Sequence, residues 1–175
     1  MGTNARALGR LFDLSIGSVP ADADGGAITG KRLRLRDYRG VTIVVIGAVG
    51  TANDDLAVDL QEHNASSGGT SQDLDIITDY FHKSELTLDG DETWTKVTQA
   101  AASEITDVGG AGTSAELQQI LAIDVAAEQL SEGFDYISLN LPDLGSAGAK
   151  YVSVLYIMWG LSAQRAPESI DAPLS

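Results

Sequence analysis

Nine residues, Tyr151 to Trp159 (YVSVLYIMW), constrain the fold more than any other stretch of this chain. Only Ser153 interrupts a run of β-branched, aromatic and other apolar side chains, which favours a pleated strand. A strand this apolar is expected to be buried on both faces. Just upstream, Phe134, Tyr136 and Ser138 alternate with Asp135, Ile137 and Leu139, the period of a second strand. Pro142, Asp143, Gly145, Ser146 and Gly148 lie between them, so the two runs predict a hairpin at the centre of a β-sandwich. Neither strand carries a residue suited to catalysis.

The remaining strand signals fall in order along the chain. Val41 to Val49 (VTIVVIGAV) is a second strongly apolar run, expected beside the strand at 151–159. Leu56, Val58 and Leu60 alternate with polar neighbours as in a half-buried strand. Ile76 to Leu88 gives one or two strands closing at Asp89-Gly90-Asp91, a turn signature, and Trp94 to Thr98 and Leu117 to Val125 give two more. Ala100 to Gly112 predicts an extended surface loop with a helical turn near Ala100–Glu104, and Ala126 to Leu130 is helix-like. About eight strands with long, varied connections predict an all-β fold, a jelly-roll-like or Greek-key β-sandwich. The expected organisation is an extended N-terminal arm over 1–30, the sandwich over 31–161 and a C-terminal tail over 162–175.

Charge is divided unevenly. Residues 1–39 hold seven basic and four acidic residues, a net of +3, whereas 40–175 hold four basic and 21 acidic residues, a net of −17. An acidic body repels polyphosphate, so no direct nucleic-acid binding is expected. Within the basic part, Lys31 to Arg36 (KRLRLR) alternates cation and leucine, placing Leu33 and Leu35 on one face and the cations on the other. Two readings stand: a solvated edge strand that uses charge against sheet-to-sheet pairing, or a docking strip for an acidic neighbour. In the arm, Leu11, Phe12, Leu14 and Ile16 form a short sticky run. Partner contacts are expected at Arg6, Arg10, Phe12, Lys31, Arg32, Arg34 and Arg36. Ends this rich in Gly, Ala and Pro fray unless held, so neighbouring subunits are expected to hold both tails.

Sites for chemistry are scarce. With no cysteine, disulfides and thiolate metal sites are excluded. His63 and His82 have no second His or Cys at ligand spacing, so each is expected to be a surface imidazole. Asp89-Gly90-Asp91-Glu92 is the best candidate for a cation loop, but it departs from the calcium-loop pattern and is better explained as a solvated hairpin turn. No cofactor or metal is expected. Paired-acid hydrolysis would need two converging carboxylates, usually with aromatic platforms, and Trp94 and Trp159 are the only tryptophans. Met1 to Arg10 lacks an apolar h-region and no run of about 18 apolar residues occurs, so neither a signal peptide nor a membrane span is expected.

Four strings, 40–55 (GVTIVVIGAVGTANDD), 89–99 (DGDETWTKVTQ), 123–141 (IDVAAEQLSEGFDYISLNL) and 149–157 (AKYVSVLYI), resemble virion structural proteins of tailed bacteriophages, of the minor capsid or head-decoration type. The resemblance covers most of 40–160, and none of its strings is diagnostic of a reaction. It implies a non-enzymatic jelly-roll-like subunit on the exterior of a phage head, bound to a major capsid protein. A homo-oligomer, a trimer by preference, is expected with it. The competing expectation, from a different class, is a carbohydrate-binding sandwich with Trp94 as its platform.

Overall fold

The computed structural model describes residues 7–110, 114–145 and 148–173. Eleven strands and three short 3-10 turns lie among the described residues. The strands are β1 (Phe12–Asp22), β2 (Leu33–Arg34), β3 (Gly40–Gly47), β4 (Val58–His63), β5 (Ser71–Asp73), β6 (Ile77–Glu85), β7 (Thr95–Ala102), β8 (Glu104–Ile105), β9 (Gln118–Ala126), β10 (Tyr136–Asn140) and β11 (Tyr151–Trp159). They form two antiparallel sheets of a sandwich. The larger has the order β1-β11-β3-β9-β6-β7, and the smaller β2-β10-β4-β5 with β8 also on β4. The chain passes repeatedly from one sheet to the other, as an all-β sandwich of non-meander topology must.

Between the sheets, alternate residues of each strand interdigitate. Ile43 and Val45 of β3, Leu121 and Ile123 of β9 and Val154 and Tyr156 of β11 meet Leu60 of β4, Ile137 and Leu139 of β10 and Leu33 of β2 in one continuous core. Each such side chain contributes roughly 1.5–3 kcal/mol on burial. Close approach is enforced at Gly30, where a Cβ would run into the carbonyl oxygen of Leu139.

Several expectations hold. β11 lies beside β3, in register from Val152↔Gly47 to Trp159↔Gly40. Leu33 and Leu35 are buried while Lys31 and Arg36 are exposed. The 126–130 stretch contains a 3-10 turn at Ala127–Gln129.

Others are corrected. β10 and β11 are not a hairpin, for they belong to different sheets. Ten residues separate Asn140 from Tyr151, enough to cross the roughly 10 Å between stacked sheets, so each strand pairs with other partners. Phe12–Asp22, expected within a free arm, is a strand of eleven residues paired with β11 from Phe12↔Trp159 to Asp22↔Tyr151. It takes up the edge that β11 would otherwise leave open, and the shifts in register between Ile16 and Ala21 absorb Pro20. Ala100–Ala102 completes β7 instead of forming a loop or helical turn, since an edge strand tolerates small side chains. The cationic strip pairs over two residues only, because the Arg34 N–H donates to the Pro173 carbonyl and the tail occupies that edge.

Both described termini are held by the chain itself. Arg165 N–H donates to the Gly9 carbonyl, Ser162 N–H donates to the Asp37 carbonyl, and Arg165 pairs with Asp171 at 3.0 Å. These contacts tie the tail to the body of the chain as far as Pro173.

Candidate interaction face

The outward residues of the larger sheet follow from strand period and pairing. β1 presents Phe12, Leu14 and Ile16; β11 presents Ser153, Leu155 and Ile157; β3 presents Thr42, Val44 and Ile46; β9 presents Ile120, Ala122 and Asp124. Pairing aligns them in rows across the sheet. The middle row runs Ile16–Leu155–Val44–Ala122–Phe81 and ends at Lys96 of β7, apolar over five successive strands. One row over stand Leu14, Ile157, Thr42 and Asp124, and on the other side Ser153, Ile46, Ile120 and Lys83. Leu14 is 44% exposed and Ile46 48%, and none of these outward residues belongs to the buried core. An antiparallel sheet with a solvated face normally carries polar residues there. This one does not.

Beyond Ile46 the face ends in an apolar notch of about 280 Å³ lined by Pro20, Leu88, Tyr151 and Val152. At the opposite margin its charges are few and held. Lys96 pairs with Asp79 at 2.5 Å and lies 5.8 Å from the centre of the Phe81 ring, while Lys83 lies 5.2 Å from the centre of the Trp94 ring. Such cation–π contacts anchor a lysine without neutralising it.

The outer face of the smaller sheet is polar. His63 receives or donates hydrogen bonds at both ring nitrogens, Nδ1 with the Ser71 hydroxyl at 2.7 Å and Nε2 with the Ser138 hydroxyl at 2.9 Å. Burial, with the Arg32 guanidinium nearby, pushes the imidazole down to about 4, so it is neutral at pH 7. Gln61 bridges Asp59 at 2.9 Å and Asp73 at 2.5 Å. The Ser71–His63–Ser138 chain ties β5, β4 and β10 together, and two hydroxyls hold the ring in place. His82 is likewise buried, bonded through Nδ1 to the Ser84 hydroxyl at 2.9 Å. The expectation of two surface imidazoles is corrected: each ring lies under a neighbouring strand or loop.

Sequence-predicted contact residues are dispersed. Arg6 lies outside the described residues. Arg10 is exposed on the turn before β1, and Phe12 stands on the apolar face opposite Trp159. Arg32 is committed internally, donating through Nη1 to the carbonyls of Ala65 (2.8 Å) and Gly68 (2.7 Å) and through Nη2 to the Ser71 hydroxyl. Arg34 lines a cleft of about 370 Å³ under the C-terminal tail, with Asp37, Tyr38 and Asp171. Tyr38 donates to Asp13 Oδ2 at 2.9 Å across that region. Lys31 and Arg36 point to solvent. The cations therefore do not form one strip.

The face was missed in sequence because β11 was expected to be buried on both sides and β3 to lie beside it. Their even-spaced apolar residues carry no mark of which side is covered. At the 86–94 loop, ligand atoms of Glu85, Asp91 and Glu92 lie within 4.8 Å of one another, yet Glu92 accepts the N–H groups of Asp89 and Gly90 as a self-closed turn does. No helix among the described residues is long and apolar enough to cross a membrane. The chain matches no family model, and no curated protein or solved structure matches it.

Proposed function

We propose that this chain is a non-enzymatic virion structural protein, a decoration or minor capsid subunit on the exterior of an icosahedral phage head, stabilising it by subunit–subunit contacts with the major capsid protein. The observation that supports it is the apolar outer face of the six-stranded sheet. Its apolar row spans five strands, half-buried at Ile16, Leu155, Val44 and Ala122 and exposed at Phe81, and contiguous apolar surface of this kind marks protein interfaces. A chain whose most distinctive surface is an interface is suited to assembly. The exposed cations Arg10, Lys31 and Arg36 then supply further contacts to an acidic neighbour.

The test is sedimentation of the full chain with purified heads that lack it. Saturable attachment, with a rise in the temperature at which the heads open, is the expected result. Heads that neither retain the protein nor gain stability would sink the proposal.

One observation favours a second reading, binding of a glycan. Trp94 is 50% exposed beside Lys83, as a sugar platform would be. Saturable quenching of tryptophan fluorescence by oligosaccharides, lost in Trp94→Ala, would favour it over the first.

A further inference from the structure

We infer that the apolar face of the six-stranded sheet is covered by a second copy of this chain, through a two-fold axis lying in the interface and running across the strands. The inference rests on the face being an interface between structural subunits, and it names the occupant.

Charge order carries it. Along β6 the outward residues are Asp79, Phe81, Lys83 and, at the end of the strand, Glu85, so an acid and a base flank the aromatic ring at equal spacing. A two-fold across the strands lays β6 antiparallel on its own copy. Phe81 then meets Phe81, and each Asp79 meets the Lys83 of the other copy, twice over. Pairing of Phe81 with Ala122 puts Asp124 of β9 in the same row as Asp79, so it too approaches that lysine. Lys83 is presented for this by its seat on Trp94, and Asp79 stands between its own Lys96 and the incoming base. The same axis sets Lys96 opposite Lys96 at the margin, each held by its own Asp79, so the reciprocal Asp79–Lys83 contacts supply the self-complementarity that an isologous interface requires.

Size agrees. Over the whole sheet, six strands spaced by about 4.8 Å, with up to five outward residues per strand about 6.8 Å apart, give a plane of roughly 24 by 27 Å, or about 650 Å², with the apolar row across its middle. A standard interface takes about 800 Å² of accessible surface from each partner, and a pleated face exposes more than its plane. Two such faces stack as sandwich sheets do, about 10 Å apart.

Sedimentation velocity of the full chain is expected to give about 37 kDa, twice the 18.3 kDa of one copy. Lys83→Glu and Asp79→Lys each set like charges opposite one another twice and should weaken association about tenfold or more. Mixed in equal amounts, the two variants restore it, because the hetero-pair has opposite charges at both contacts. As a check that survives any loss of stability, Phe81→Cys in this cysteine-free chain should cross-link with a short bismaleimide, and Glu104→Cys on the other sheet should not. An 18.3 kDa species, a trimer, or a mixture no heavier than its components overturns the two-fold. A monomer that still attaches to heads overturns the two-fold alone, whereas a monomer that fails to attach overturns the structural role as well.

Discussion

The Tyr156 hydroxyl sits between the two sheets, accepting the Leu139 N–H at 3.1 Å and donating to the Lys31 carbonyl at 3.0 Å. It is needed there because β2 pairs with β10 only at Tyr136 and Ile137, and the backbone beyond finds no strand on that side. Burial pushes the phenol up to about 12, so it remains a donor at any ordinary pH. Tyr156→Phe keeps the ring and orphans two buried backbone groups, and should cost about 1–3 kcal/mol in urea unfolding. His63 gives a pH prediction. Its folded value near 4 lies below the unfolded value of about 6.5, so the fold prefers the neutral ring. Stability is then full above pH 6.5 and falls as pH drops towards 4, by at most about 3 kcal/mol. His82 acts in the same direction, whereas Asp59, raised by burial, acts in the opposite one. His63→Asn should flatten most of the loss measured by urea midpoints across that window. A profile as steep as the parent's would assign the loss elsewhere.

At the scale of elements, β1 decides what can be removed. Residues 1–11 precede the strand, whereas Phe12–Asp22 covers the edge of β11 along most of its length. Truncation to Leu11 should leave the melting temperature within a few degrees, and truncation to Asp22 should unmask the β11 edge and cause aggregation. Thermal scattering of the two truncations separates them. The same element shows what was legible. Period two and β-branching marked β3, β4, β9 and β11, and placed β11 beside β3. The break at Gly17, Ser18 and Pro20 hid β1, because a bulge interrupts the alternation that announces a strand. Period says that β10 and β11 are strands, but a ten-residue connection can close a hairpin or cross to the other sheet. The interaction face was hidden for a related reason. Val44, Ile46, Leu155 and Ile157 read like residues of a doubly buried strand, and only the pairing shows that they lie on a face no described element covers. Of that face only the sticky run of Phe12, Leu14 and Ile16 was singled out beforehand, with Phe12 as the expected contact.

For the whole molecule, the question is how two bodies of charge −14 approach each other. At low ionic strength their net repulsion acts over tens of ångströms, about 30 Å at 0.01 M salt and about 8 Å at 0.15 M. The face that joins them is apolar in its middle rows, and desolvated contacts there are screened little. Salt therefore removes more repulsion than attraction, even though it weakens the reciprocal pairs of Asp79 with Lys83 to some extent. Association should tighten several-fold from low to physiological salt and then level off. Contacts made by Arg10, Lys31 and Arg36 with an acidic shell behave in the opposite way, since exposed charge pairs lose strength as salt rises. Sedimentation velocity of the free chain and pelleting with heads, run over one salt series, should therefore diverge. If self-association weakened with salt in parallel with attachment, charge and not the apolar sheet face would be joining the copies.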